Sequence, residues 1–120
     1  MNNIKSKSHQ FFQIARRKTG NLCKKAWKIF NQNLHLDDSS MKTACMKIAV
    51  SLVDEDIRIT KEDLSGGQAT VADLAFLLES KAIFLLKGFK DRASHQEARE
   101  CQEEAQSLDI EHNINKPRLF

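Results

Sequence analysis

An all-α fold, a compact bundle of four or five helices, follows from three observations on this 120-residue chain. One proline and four glycines leave little of the punctuation that a β-rich fold needs. Apolar residues recur at i, i+3 and i+4 over several long stretches, the period of a helix with one face in a core. The densest apolar segment, Thr70 to Phe89 (TVADLAFLLESKAIFLLKGF), is expected to be the central helix that the others pack around. At this length the chain forms one domain with room for a core that needs no staples. Residues 1–108 are assigned to it, and 109–120, polar and carrying Pro117, to a loose C-terminal tail.

The first helix is expected from about Lys7 to Leu34. Phe11, Phe12, Ala15, Leu22, Ala26, Ile29 and Phe30 share one arc, and Arg17, Lys24 and Lys28 lie almost opposite. Trp27 borders the apolar stripe beside Arg16. Gly20 costs ~1 kcal/mol relative to alanine inside a helix and is the natural place for a kink or break. The segment is also the electropositive end of the chain. Residues 1–36 hold eight Lys and Arg and no acid, whereas the rest carries eleven bases against sixteen acids, a segment charge of −5. A basic amphipathic helix of this kind serves as a plain surface helix, or meets nucleic acid, an anionic membrane or an acidic protein surface.

Asp37, Asp38, Ser39 and Ser40 form the next boundary, with several residues able to cap a helix N-terminus. The second helix then follows Met41, Ala44, Cys45, Ile48, Ala49, Leu52 and Val53 as its core stripe and is expected to end at Asp54-Glu55-Asp56. Ile57 to Leu64 is expected to be a connector, either a short strand or a single helical turn. Gly66-Gly67 breaks the chain, and Thr70-x-x-Asp73 opens the central helix with a pattern like a capping box. A last helix, about Asp91 to Leu108, has a thin seam of Ser94, Ala98, Cys101, Ala105 and Leu108, with Glu97, Glu100, Glu103 and Glu104 on another face. Those acids are the natural complement of Arg17, Lys24 and Lys28, within one subunit or across a dimer. If Gly88 did not interrupt, Thr70 to Leu108 would be a single helix of ~58 Å, a length that favours a dimer.

The central helix raises the one question of function that periodicity can frame. Val71, Leu74, Ala75, Leu78, Ala82, Leu85, Leu86 and Phe89 make its core arc, and Asp73, Ser80 and Lys87 mark the opposite side. Leu77 and Phe84 sit among those polar residues, one heptad apart. Either the helix is buried all round, or Leu77 and Phe84 anchor a partner or a second copy of the chain.

Signs of chemistry are few. Cys23, Cys45 and Cys101 are odd in number and far apart, which suggests neither a disulfide framework nor a zinc cluster and fits a reducing compartment. Cys45, on the expected core stripe, has no neighbouring base to activate it. The four histidines show no ligand spacing, so no metal or cofactor is expected and no catalytic residue is assigned. The N-terminus lacks the apolar run of a Sec signal peptide, and Glu79 and Lys81 interrupt the longest apolar run against a membrane span. Leu64-Ser65-Gly66-Gly67-Gln68 resembles the signature motif of ATP-binding-cassette ATPases, which contacts a γ-phosphate from a helix N-terminus. The likeness stops at those letters, since the chain has no G-x-x-x-x-G-K-[ST] loop and no acidic pair of a Walker B strand.

The glutamate-rich stretch EARECQEEAQSLDIE, ahead of the C-terminal Leu119-Phe120, resembles the secretion signal of effectors exported by Legionella-type type IV systems. Size, Lys/Asn/Gln-rich usage and the helical pattern resemble the small Legionella inhibitors of ubiquitin-directed transglutaminase and deamidase effectors. The resemblance implies a small helical inhibitor, itself dimeric, that occludes a ubiquitin-modifying effector, and a bacterial cytoplasmic protein translocated into a host cytosol. It carries no diagnostic motif and assigns no binding residue. From the residues themselves we expect a protein without catalytic activity, an inhibitor or regulator acting by steric occlusion. Leu77 and Phe84 are its expected apolar anchors, and Arg17, Lys24, Trp27 and Lys28 a competing contact surface. The alternative is a small nucleic-acid-binding regulator using residues 5–28.

Overall fold

The computed structural model describes residues 21–112, which form four helices and, among the described residues, no strand. We label them α1 (described over residues 21–33), α2 (Ser39–Ser65), α3 (Val71–Gly88) and α4 (Arg92–His112). The expected start of the first helix, and most of the expected tail, lie outside the described residues.

The helix ends are written locally. Asp38 caps α2 by accepting from the Met41 N–H at 3.0 Å. At the other end the Gly67 N–H donates to the Leu64 carbonyl at 3.1 Å and the Gln68 N–H to the Asp63 carbonyl at 2.7 Å. Gly67 has φ of 77°. This pair of bonds around a left-handed residue is a Schellman motif, so Gly66-Gly67 terminates α2. Thr70 and Asp73 form a reciprocal capping box at the start of α3, with distances of 3.0 and 3.2 Å. Asp91 caps α4 through the Ser94 N–H at 2.9 Å and the Ser94 hydroxyl.

Two expectations about length are corrected. Asp54-Glu55-Asp56 does not end α2, which runs on to Ser65 and absorbs the supposed connector. Arg58 bridges Glu55 and Glu62 on the turns before and after it, and Val53, Ile57 and Thr60 continue the buried stripe. At the other end of the chain α4 passes Leu108 to His112, so the assigned tail begins inside a helix.

The central helix is α3, with α2 and α4 antiparallel to it. Gly88 is where α3 meets α2: a Cβ there would lie 2.6 Å from Met46 Cγ. The helix stops at that glycine and Phe89 is extended, which excludes one continuous helix from Thr70 to Leu108. Ala98, Cys101 and Ala105 of α4 are buried along the expected small-residue seam. Lys81, nearly buried, ties three helices together by pairing with Asp54 of α2 at 2.6 Å and Glu97 of α4 at 2.7 Å. Burial alone lowers its pKa, and the hydrogen bonds and charges of the two carboxylates outweigh that and hold it above the usual lysine range.

α1 is fastened to α2 and α3 by polar as well as apolar contacts. The Cys23 N–H donates to Asp56 Oδ2 at 2.8 Å, so a carboxylate from α2 satisfies an amide of the described first turn of α1. Trp27 Nε1–H donates to Ser80 Oγ of α3 at 3.0 Å, and the Cys23 thiol lies 4.0 Å from the same oxygen. Trp27, Phe30 and Phe84 form an aromatic triad with ring centroids 4.8 to 5.6 Å apart, inside the preferred range for edge and tilted pairs.

Candidate interaction surface

The two expected anchors on α3 are core residues. Phe84 is 0 % and Leu77 4 % exposed, and Phe84 sits against Trp27 and Phe30. Ser80, expected on the solvated side, is also fully buried, because the Trp27 indole supplies its partner. The physical reason is that α1, α2 and α4 surround α3, so the side marked by Ser80 faces α1. The outward heptad pair is one residue earlier: Phe76 is 44 % exposed and Ile83 partly so.

The second expected surface divides. Lys24 and Lys28 are exposed, together with Lys25. Trp27 is half-buried and committed to Ser80 and Phe84, so it braces α1 rather than projecting from it. Arg17 lies outside the described residues. Within the described fold the acidic face of α4 does not pair with these lysines: Glu97 pairs with Lys81, and Glu104 approaches Lys61 at 3.7 Å. Among the described residues Lys24, Lys25 and Lys28 pair with no carboxylate.

A third patch lies on α2, where periodicity pointed to core. The buried residues are Met46, Ala49, Val53, Asp56, Ile57 and Thr60, whereas Met41 and Ile48 are 57 % and 52 % exposed and Ala44 is exposed beside them. Cys45, expected on the core stripe, is only half-buried. The helix therefore carries more apolar surface than its neighbours cover, and half of a well-spaced stripe forms an outward ridge.

Burial, with Asp56 adding to it, pushes the Cys23 thiol up to about 11 against the opposing Ser80 hydrogen bond. Burial likewise pushes Cys101 up to about 11. Both thiols are thus poor nucleophiles. Burial also raises Asp56 to about 6, although the Cys23 amide favours its charged form. Among the described residues no group of His, Cys, Asp and Glu is placed to hold a metal ion, and no helix is long and apolar enough to cross a membrane. The letters that resemble an ATPase signature end a helix, where the carbonyl dipole is negative and disfavours phosphate.

No family model matches the chain, and no curated protein or solved structure shows significant similarity to it. The class of protein rests on the fold, an all-α four-helix bundle with a basic face and an apolar ridge.

Proposed function

We propose that the protein is a non-enzymatic interaction module that inhibits or regulates a partner enzyme by covering its working surface, with the basic face of α1 meeting an acidic region of the partner. The observation that carries this reading is that Lys24, Lys25 and Lys28 find no carboxylate within the described fold, while Asp54, Glu55 and Glu62 of α2 and Glu97 and Glu104 of α4 are paired with Lys61, Lys81 and Arg58. Exposed charges of one sign steer encounter and orientation more than they add affinity. Their backbone is held by three anchors, Cys23–Asp56, Trp27–Ser80 and the aromatic triad, so little ordering is lost on binding. With Leu77 and Phe84 in the core, a homodimer would have to use other side chains, such as Phe76 or the α2 ridge.

The resemblance to Legionella inhibitors makes a ubiquitin-directed transglutaminase or deamidase the enzyme to test. The purified chain should suppress turnover by such an effector, and Lys24→Glu/Lys28→Glu should raise the concentration needed at least about tenfold. Absence of inhibition by the wild type would remove that class of partner. Unchanged inhibition by the charge-reversed variant would remove α1 as the contact. Binding to duplex DNA with a log–log salt slope of about −0.9 per phosphate would favour the nucleic-acid reading instead.

A further inference from the structure

The outward side of α3 has an apolar floor beside a basic wall. Lys81 and Gly88 mark the side of α3 that meets α2, and Phe84 and Ser80 the side that meets α1. Continuing round at about 100° per residue, the next side chains are Lys87, Phe76 and Ile83, within about 40° of one another. Phe76 is 44 % exposed, Ile83 partly so, and Lys87 is exposed. Glu79, the acid nearest this strip, is 4 % exposed, so its charge is not presented there.

α1 supplies the wall. It runs parallel to α3, with Cys23 and Trp27 at Ser80, and Trp27 and Phe30 at Phe84. Parallel helices turn in the same sense, and Cys23 marks the side of α1 toward Asp56 of α2. Past Trp27 and away from α2 come Lys24 and Lys28, about 60° and 100° further round, which border the strip. Partners on α1 and α3 are 53 to 57 positions apart, which sets Lys28 level with Ile83. α4 packs along the remaining side of α3, so Phe76 and Ile83 lie in a channel between α1 and α4.

The channel specifies its occupant by spacing and charge. Phe76 and Ile83 are about 10 Å apart along the axis, the i, i+7 interval of the anchors on an amphipathic helix. Among the described residues Lys24, Lys28 and Lys87 pair with no carboxylate, so the wall calls for acids. The chain's other segments cannot supply them: residues 1–20 hold five Lys and Arg and residues 113–120 two, with no acid in either. A second copy on the same face would set one basic wall against another. A channel walled by two helices also suits a helix better than the plane of a membrane.

From these features we infer that the channel between α1 and α4 binds an acidic amphipathic helix of a partner protein, its apolar side chains on Phe76 and Ile83 and its acids toward Lys24, Lys28 and Lys87. The inference rests on the partner reading above and names the part of the partner that is recognised.

The probe is a fluorescent model peptide of about 16 residues, ~24 Å of helix, with leucines at i, i+4 and i+7 and glutamates along one flank; its counterpart carries lysines in place of the glutamates. By fluorescence anisotropy the full chain should bind the glutamate peptide and not the lysine peptide. Phe76→Asp, at an exposed site that leaves the fold intact by circular dichroism, should weaken binding at least about tenfold, and Ile83→Gln serves as the second variant. Lys24→Glu/Lys28→Glu should lose the glutamate peptide and gain the lysine peptide. No binding of the glutamate peptide, equal binding of both peptides by the wild type, or an affinity that survives both Phe76→Asp and Ile83→Gln would overturn the inference. So would a dimer in light scattering, or capture by phosphatidylserine vesicles, that Phe76→Asp abolishes, because a second copy or a membrane would then be the occupant. The inhibition assay separates this inference from the wider reading. Inhibition that is lost in Lys24→Glu/Lys28→Glu and kept in Phe76→Asp would overturn the channel and leave the basic face of α1, whereas inhibition kept in both would remove the two together.

Discussion

Removing the buried charge of Asp56 should make the protein more stable at neutral pH and leave it little changed in acid. Asp56 is 0 % exposed and accepts from the Cys23 N–H through Oδ2, while Oδ1 has no partner and neither has Thr60 Oγ1 one turn on. Its pKa rises from 3.8 to about 6, and the cause that dominates is burial. A folded-state value above the unfolded one means that the native protein binds the proton more tightly. The associated stability is fully present below pH ~4 and is lost as pH rises through about 6. At 1.36 kcal/mol per unit the complete change is about 3 kcal/mol, of which ~2 kcal/mol falls between pH 4.5 and 7.5.

Asp56→Asn retains an acceptor for the Cys23 amide, removes the charge and adds a donor near Thr60. Urea unfolding followed by circular dichroism should therefore show the variant gaining on the wild type by about 2 kcal/mol from pH 4.5 to 7.5. Taking the difference between the two proteins cancels the carboxylates that behave oppositely, such as Glu55 beside Arg58 and Asp91 at the α4 cap, both held below the usual range by their hydrogen bonds. A difference that does not change with pH, or a variant that loses ground at neutral pH, would refute the reasoning. The second outcome would mean that attraction between the Asp56 charge and the amides of the first described turn of α1 exceeds the cost of burial.

Three further outcomes follow from packing. Phe84→Ala should cost about 3 to 5 kcal/mol in urea unfolding, because a fully buried ring is lost from the triad with Trp27 and Phe30; a loss below 1 kcal/mol would contradict its core placement. Gly88→Ala should cost about 1 to 3 kcal/mol, since the new Cβ meets Met46 Cγ at 2.6 Å, and Met46→Ala should remove most of that penalty in a double-mutant cycle. Gly67→Ala should cost about 1 to 2 kcal/mol at its φ of 77°, whereas Gly66→Ala, with φ of −87°, should not lower the thermal midpoint.

Local signals carried the helix boundaries, and tertiary partners carried the phases. Asp38, the Gly66-Gly67 pair and the Thr70–Asp73 box act through bonds that short motifs announce, whereas the sequence leaves the stop at Gly88 open and the glycine there packs against Met46, 42 residues away. The outward side of α3 has no such announcement. Leu77 and Phe84 share a heptad spacing with Phe76 and Ile83, and only the presence of helices around α3 decides which pair is covered. Ser80 appeared polar and therefore solvated because its partner, Trp27, is 53 residues away. On α2 the error had the opposite sign. Met41, Ala44 and Ile48 keep perfect helical spacing, yet the core uses the flank marked by Met46, Ala49 and Val53. An acidic run also reads as a helix stop, although Arg58 pairs with Glu55, Lys81 with Asp54, and Asp56 is turned inward toward α1.

The same inward Asp56 links stability to the proposed working surface. α1 is joined to α2 and α3 through a few specific anchors besides its apolar contacts, and its position depends on them. A carboxylate whose burial disfavours its charge meets the first described turn of the helix that displays Lys24, Lys25 and Lys28. Replacing it by an apolar residue would leave the Cys23 amide without a buried acceptor, a loss of about 1 to 3 kcal/mol concentrated at that end of α1. Local opening of α1, read by hydrogen exchange at Cys23 to Trp27, should therefore respond to Asp56→Leu more strongly than opening of α3 does. Equal acceleration in both helices would show that Asp56 supports the whole bundle, and the basic face would then owe its placement to the aromatic triad alone.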